Sequence, residues 1–293
     1  MNKVAAVVVT YNRIDLLKQC VDALLKQNFP CDILLVNNNS IDGTEEWALE
    51  QVNIFDNIKY HNTGANLGGA GGFNYGMRWA VEAGYEFVWV MDDDCLPKEN
   101  CLAVFMEYEK EHSGEYGFLS SKVLWQDQSI CVMNVPRVGV YSNNKDFKSK
   151  AVRISMASFV SLFVPIRIIK EVGLPIKDFF IWTDDWEFTR RISLKYPSYL
   201  LNENVVIHKP KSNIGANIAT DAIDRINRFF YLYRNDVYLY RREGIKGFLY
   251  ETVRLSYHLF RIVFKSDNKL LRVKQLVKGT WAGVFFNPQI EKI

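Results

Sequence analysis

The chain has 293 residues and a net charge of +3, with 48% hydrophobic and 24% charged residues. This composition is ordinary for a globular protein with a buried core, and the length allows one large domain or one domain with a smaller appendage. The absence of an apolar run of about 18 residues excludes an evident membrane-spanning helix.

The cysteines and the N-terminus indicate the compartment. The five cysteines include no Cys-x-x-Cys pair, which is typical of reduced thiols, and Cys95 is interpreted as a small packing residue. The N-terminus enters a strand pattern directly, so we expect no signal peptide and a cytoplasmic protein.

The first 95 residues read βαβαβαβ, the pattern of a mostly parallel, doubly wound α/β sheet. Strands are predicted over residues 4–10, 32–36, 58–60 and 85–91. Helices are predicted over residues 15–25, from residue 44, and from about Asn74 to Glu82, after a run of glycines. Further predictions are a helix at 101–110, a strand at 117–122, an irregular stretch at 125–150 and helices from residue 221 onward.

Polar residues follow three of the predicted strands: 10–12, 37–40 and 92–94. Parallel strands end at one sheet edge, where ligands bind. Asp92, Asp93 and Asp94 repel one another and need a cation or strong donors. A divalent metal that holds a diphosphate would meet that need, whereas a solvated acidic turn is the alternative.

The glycine run at 68–72 lies just before a predicted helix. It could bring backbone close to a ligand, or it could permit a tight helix–strand contact. Both readings are open, because the run matches no specific phosphate-binding motif.

Asp184 and Asp185 are surrounded by aromatic residues, and Thr183 is a candidate N-cap of the helix that follows. Apolar surroundings and a neighbouring carboxylate both raise a carboxyl pKa, which suits a general base. The alternative is an acidic helix N-terminus paired with Arg190 and Arg191. His208, also at a predicted strand end, is a candidate for a metal or phosphate role.

The C-terminal region is basic: residues 241–293 hold eleven Lys and Arg against four Asp and Glu. The predicted helix at 248–265 has an apolar stripe opposite a basic one. The apolar stripe comprises Tyr250, Val253, Tyr257, Phe260 and Phe264, and the basic stripe comprises Arg254, His258, Arg261 and Lys265. The helix could pack on its own domain with its basic residues solvated, or it could bind an anionic membrane surface over residues 246–284.

Five segments follow one another along the chain with a spacing that is typical of one enzyme family. They are Val-Val-Thr-Tyr-Asn-Arg, Val-Asn-Asn-Asn-Ser-Ile-Asp-Gly-Thr, Asn-Leu-Gly-Gly-Ala-Gly-Gly-Phe, Met-Asp-Asp-Asp and Asp-Asp-Trp-Glu-Phe-Thr-Arg-Arg. Together they resemble family 2 inverting glycosyltransferases of the GT-A fold. The glycine run, the Asp triplet and a Tyr-Leu-Tyr-Arg-Asn segment are most similar to the galactofuranosyl- and rhamnosyltransferase branch. We therefore expect a GT-A catalytic domain at 1–215 and a helical region at 216–293.

The resemblance implies a role for each matching residue. Asp185 would be the general base, with Asp184 beside it, and Asp92, Asp94 and His208 would hold Mn²⁺ or Mg²⁺. Trp182, Trp186 and Glu187 would contact the acceptor. The donor-binding set would be Thr10, Tyr11, Asn12, Arg13, Asn38, Asn66, Gly68, Gly69, Gly71, Gly72, Asp92 and Asp93. Asn38 departs from the Asp that is frequent there and would contact the base without charge assistance.

The resemblance also implies the reaction and the partners. The donor would be UDP-galactofuranose, with dTDP-rhamnose or another UDP-hexose as alternatives. The acceptor would be a glycan or a lipid-linked oligosaccharide of bacterial cell-surface polysaccharide synthesis, at the inner face of the plasma membrane. Homo-oligomers are possible, and no nucleic-acid partner is expected. A non-catalytic sugar-nucleotide or glycan-binding scaffold and a nucleotidyltransferase are the alternatives from other classes.

Overall fold

The computed structural model describes residues 3–293. The strands within these residues are β1 (Val4–Thr10), β2 (Asp32–Asn37), β3 (Ile58–Asn62), β4 (Phe87–Asp92), β5 (Cys95–Pro97), β6 (Leu119–Leu124), β7 (Arg137–Gly139), β8 (Ser142–Asn143), β9 (Ala151–Ile154), β10 (Leu162–Pro165) and β11 (Ser198–His208). The α-helices are α1 (Ile14–Leu25), α2 (Thr44–Ile54), α3 (Gly68–Glu82), α4 (Cys101–His112), α5 (Ile166–Val172), α6 (Asp184–Ser193), α7 (Phe229–Arg241), α8 (Gly244–Lys265) and α9 (Lys269–Phe285). The predicted βαβαβαβ order is confirmed.

The strands other than β7 and β8 form one sheet in the order β3-β2-β1-β4-β10-β6-β11-β5, with β9 beside β11. The first four strands in this order are parallel, and β10 joins β4 antiparallel. β7 and β8 form a separate ribbon within the stretch predicted to be irregular.

The sheet is covered on both faces because β1 is apolar on both. Val4, Ala6 and Val8 pack into one core with residues of α1, α2 and α4. The alternate residues of β1 pack into a second core with residues of α3, α5 and α6. This alternation follows from the two-residue period of a strand.

Helices α7, α8 and α9 pack on one another around Ile226, Phe229, Tyr233, Ile262 and Leu276. A Cβ on Gly279 would lie 2.5 Å from the carbonyl oxygen of Phe230, so glycine is needed for this close approach of α9 to α7.

The apolar stripe of α8 is turned outward, which does not fit the alternative in which this helix packs on its own domain with its basic residues in solvent. Val253 is 69% exposed, and Tyr257, Phe260 and Phe264 are also exposed. Arg254 instead faces the interior, where its Nη2 lies 2.7 Å from Asp236 Oδ2. The buried carboxylate explains the orientation, because an unpaired buried charge is costly.

No helix within residues 3–293 is both long and apolar enough to cross a bilayer.

Candidate active site

Polar residues at the ends of β1, β2 and β4 meet at one edge of the sheet. Thr10 pairs with Asn37 across β1 and β2, and Val9 pairs with Asp92 across β1 and β4. The strands are parallel, so their carboxyl ends share the edge at which α/β proteins bind ligands. The predicted convergence of the three strand ends is therefore present in the structure.

Asp93 is buried and held from two sides. Thr10 Oγ1 donates to its Oδ2 at 2.7 Å, and Arg13 Nη1 lies 3.4 Å from its Oδ1 and 2.9 Å from Asp94 Oδ2. Only Nη1 of Arg13 makes these contacts, and 51% of the side chain is exposed. Arg13 thus braces the acidic turn and keeps donors for an anionic ligand.

His208, at the end of β11, lies against Asp94. Its Nδ1 is 2.8 Å from Asn134 Oδ1, which can only accept, so Nδ1 carries a hydrogen. Its Nε2 lies 3.0 Å from Asp94 Oδ1. Burial alone would lower the pKa of His208, but Asp94, Cys131 and Asp92 outweigh it and raise that pKa to about 10. Burial alone would raise the pKa of Asp94, but the hydrogen bond and charge of His208 and the charge of Arg13 outweigh burial, so the pKa is lowered.

Asp94 and His208 fit a divalent cation. Asp94 Oδ1 is buried and has no well-aligned hydrogen bond to any described residue, and a ligand atom of Cys95 lies within 4.8 Å of both side chains. Burial raises the pKa of the Cys95 thiol well above its usual range, which makes it a poor ligand. Carboxylate oxygen and imidazole nitrogen suit Mn²⁺, and they leave positions for diphosphate oxygens. Asp92, predicted as a third ligand, lies outside this cluster.

The glycine run forms the first turns of α3, so the prediction that the helix begins at about Asn74 is wrong. Gly68 has φ +70°, and a Cβ there would lie 2.0 Å from the carbonyl oxygen of Phe180. A Cβ on Gly72 would lie 2.5 Å from Val9 Cγ1, whereas Gly69 faces open space. Tight packing thus accounts for Gly72, and Gly69 leaves helix backbone open to a ligand.

Asparagine side chains shape the loops beside the glycine helix. Asn38 Nδ2 donates to the carbonyl oxygen of Gly68 at 2.9 Å, and Asn66 Oδ1 accepts from the amide of Gly68 at 2.9 Å. Asn12 Oδ1 accepts from the amide of Ile41 at 2.8 Å. Much of the hydrogen-bonding capacity of these asparagines is therefore used within the fold, while Tyr11 remains exposed at the same edge.

Asp184 and Asp185 begin α6, after a loop in which Phe180, Trp182 and Thr183 all have positive φ. Burial raises the pKa of Asp184 to about 7, with a contribution from the charge of Asp92. Burial, and next the charge of Asp184, raise the pKa of Asp185 well above the usual carboxyl range. Asp92 also acts on Asp185, so the paired carboxylates and the acidic strand end share one electrostatic environment.

Thr183 is the N-cap residue of α6, as predicted, but its side chain makes no capping hydrogen bond. Its Oγ1 instead donates to Asp236 Oδ1 at 2.6 Å. The alternative, in which Asp184 and Asp185 pair with Arg190 and Arg191, is not what the structure has. Both arginines point away to other carboxylates, Glu243 and Glu187.

The three predicted acceptor residues differ in their surroundings. Trp182 packs on Phe229 with ring centroids 5.2 Å apart, and the ring of Trp186 lies 3.7 Å from the guanidinium of Arg137. Glu187 is buried and bound by Arg191, so it does not offer a free carboxylate to an acceptor. Both tryptophans are only partly buried and retain some exposed surface.

Sequence reasoning missed Asn134, which orients His208. Asn134 lies within the polar stretch at 125–150, and its Nδ2 donates to Ser158 Oγ at 3.0 Å, which fixes the amide. Only the irregularity of the stretch hinted at a role, since long loops without regular structure are frequently functional.

Residues 5–116 match the family model described as Glycosyl transferase family 2. The chain is 27% identical over 264 residues to galactofuranosyltransferase GlfT1 of Mycolicibacterium smegmatis, which covers 84% of this chain and 85% of that protein. It is 26% identical over 281 residues to GlfT1 of Mycobacterium tuberculosis, with 91% of each covered.

Solved structures share the fold. TarS 1–349 of S. aureus in complex with UDP-GlcNAc superposes with a TM-score of 0.57 at 15% identity, covering 97% of this chain and 73% of that one. GalNAc-T7 with UDP, GalNAc and Mn²⁺ gives a TM-score of 0.60 at 13% identity, covering 80% of this chain and 47% of that one.

Proposed function

We propose that this chain, in which residues 5–116 match the family 2 glycosyltransferase model and the fold is that of GT-A proteins, is a glycosyltransferase with the following reaction. It transfers galactofuranose from UDP-galactofuranose, with inversion, to a hydroxyl of a glycan or lipid-linked acceptor. Mn²⁺ or Mg²⁺ is required, and Asp185 is the general base. The acceptor belongs to cell-surface polysaccharide synthesis.

One observation carries this proposal: a cation site and a pair of high-pKa carboxylates share one edge of the sheet. Asp94 and His208 provide the site, and the charge of Asp92 acts on both Asp184 and Asp185. An inverting transferase needs both parts within reach of one donor, the first for the leaving group and the second for the acceptor.

The part of the proposal that concerns the sugar-nucleotide donor rests on the positive charges at this edge of the sheet. Asp94 and His208 would hold a divalent metal, which would supply positive charge to stabilise the departing diphosphate. Arg13 keeps exposed guanidinium donors beside Asp94, where they can bind a phosphate oxygen. The first turn of α3 is tied to the end of β2 by the hydrogen bond from Asn38 to the carbonyl oxygen of Gly68, and a Cβ on Gly69 would meet no other atom within 4 Å.

The part of the proposal that concerns the acceptor hydroxyl rests on Asp185. Its Oδ1 accepts from the amide of Trp186 at 2.7 Å, which fixes the carboxylate at the start of α6. Asp185 takes the proton of the acceptor hydroxyl as that oxygen forms a bond to the anomeric carbon. The bond from this carbon to the diphosphate oxygen breaks, and UDP leaves with the electron pair. Attack opposite the leaving group inverts the configuration.

The choice of galactofuranose is supported by the two GlfT1 relatives, which match 84% and 91% of this chain. The resemblance of the glycine run and the Asp triplet to the galactofuranosyl- and rhamnosyltransferase branch points the same way.

The outward apolar face of α8 and α9 supports a peripheral position on the membrane. On α9, Leu270, Val277 and Trp281 are exposed, as are Lys274 and Lys278. Apolar side chains flanked by lysines fit the boundary of an anionic bilayer. This face would bring the active site to a lipid-linked acceptor at the inner leaflet.

A donor panel tests the proposal. The protein is incubated with Mn²⁺ and UDP-galactofuranose, UDP-galactopyranose, UDP-GlcNAc or dTDP-rhamnose, with and without chelator. We expect UDP release and transfer only from UDP-galactofuranose, and inversion in the product by NMR. Preference for another donor would overturn the sugar assignment. Release of inorganic diphosphate would indicate a nucleotidyltransferase, and binding without turnover would indicate a scaffold.

A further inference from the structure

We infer that Asn235 and Asp236 of α7, with Arg254 of α8, are positioning residues that hold loop 179–184 in its catalytic conformation. The inference rests on the proposed function, because it gives the C-terminal helices a part in orienting the base Asp185. These helices would thus contribute to the chemistry as well as to membrane binding.

The loop has a backbone that needs support. Phe180 has φ 65° and ψ −58°, Trp182 has φ 66° and Thr183 has φ 70°. Residues other than glycine rarely adopt a positive φ. Three of them within four positions persist only where the surrounding structure holds the backbone in place. The residue directly after them is Asp184, so any relaxation of the loop would move both carboxylates.

Asn235 supports the middle of the loop. Its side chain is fully buried, and its Nδ2 lies 3.0, 3.1 and 2.9 Å from the carbonyl oxygens of Phe179, Ile181 and Trp182. Arg234 Nη2 donates to the carbonyl oxygen of Phe179 at 3.2 Å. The Tyr-Leu-Tyr-Arg-Asn segment therefore ends in two side chains that bind loop carbonyls, which explains its place among the sequence motifs.

Asp236 supports the end of the loop nearest the base. Its Oδ1 accepts from Thr183 Oγ1 at 2.6 Å, and its Oδ2 lies 2.7 Å from Arg254 Nη2. Arg254 also donates to both oxygens of Glu251 at 2.8 Å. These contacts are largely buried, where charge-assisted hydrogen bonds fix geometry most firmly. Two side chains thus connect helix α8 to the residue that precedes Asp184.

The decisive variants alter Thr183, because its hydroxyl can be removed without changing its branching. Thr183→Val deletes the bond to Asp236, and Thr183→Ser keeps it. Thr252→Val is the matched control, since that exposed hydroxyl donates only within α8 to the carbonyl oxygen of Phe248. Transfer rate, donor KM and hydrogen exchange of loop 179–184 are measured for each variant.

We expect Thr183→Val to lower kcat roughly 10- to 100-fold, because small misplacements of a catalytic group cost about that much. Donor KM should stay within about twofold, and exchange in the loop should be faster. Thr183→Ser and Thr252→Val should resemble the wild type. Unchanged loop exchange in Thr183→Val would overturn the inference even if no transfer can be measured. An equal loss of kcat in Thr183→Ser would also overturn it. Failure of the wild type to use any donor would instead count against the proposed function.

Discussion

Asp94 Oδ1 lies 3.0 Å from His208 Nε2, although Asp94 follows β4 and His208 ends β11. The carboxylate stabilises the imidazolium and so raises the pKa of His208 to about 10. The same two atoms are the proposed cation ligands. Metal and proton would therefore compete for His208.

This competition predicts the pH dependence of metal binding. Below the raised pKa, His208 holds a proton that the metal must displace, so Mn²⁺ affinity should rise with pH, by up to about tenfold per unit, with release of about one proton. Calorimetry in two buffers of different ionisation heat measures this release. His208→Asn should abolish it, and Cys95→Ser should not. Proton release that persists in His208→Asn would exclude His208 as the ligand.

The sequence was sufficient for the α/β order and for the convergence of the strand ends, because both follow from strand periodicity and parallel pairing. It was insufficient for the start of α3, because the helix includes the glycine run, within which Gly72 packs closely on Val9 of another element. It was also insufficient for the orientation of α8. The inward turn of Arg254 depends on Asp236, a partner on another helix.

The packing of α3 on β1 predicts unequal effects of two glycine substitutions. Gly72→Ala should destabilise the fold by about 1–3 kcal/mol, because its Cβ would meet Val9 Cγ1 at 2.5 Å. Gly69→Ala is the matched control in the same helix, and it should leave stability unchanged or raise it by up to about 1 kcal/mol. Urea unfolding measures both, and equal effects would contradict the close contact.

The outward face of α8 predicts membrane binding that depends on apolar residues. Val253→Glu with Phe264→Glu should lower binding to anionic vesicles by roughly tenfold or more, since each side chain loses the free energy of burial in the bilayer. Ile54→Glu, at an exposed apolar position on α2, should have no effect. Cosedimentation with anionic and neutral vesicles gives the comparison. If the wild type forms a dimer that buries this face and does not bind vesicles, the proposed membrane binding would be contradicted.

The paired carboxylates predict an acid limb in the pH profile. As the proposed base, Asp185 must be ionised to act, and its pKa is raised by burial and then by Asp184. Activity should therefore fall as pH drops through a value well above the usual carboxyl range. Asp184→Asn removes the neighbouring charge, and the limb should then move to lower pH. The measurement is kcat/KM of transfer against pH at saturating metal. A limb that stays near pH 4 in the wild type would contradict a high-pKa base.

The transfer rate of Asp185→Asn tests the central claim most directly. The amide cannot accept the acceptor proton, so kcat should fall by about 10²- to 10⁴-fold, while UDP-galactofuranose binding in the presence of Mn²⁺ stays within about threefold of the wild type. Transfer near the wild-type rate, or a loss of donor binding equal to the loss of rate, would contradict Asp185 as the base.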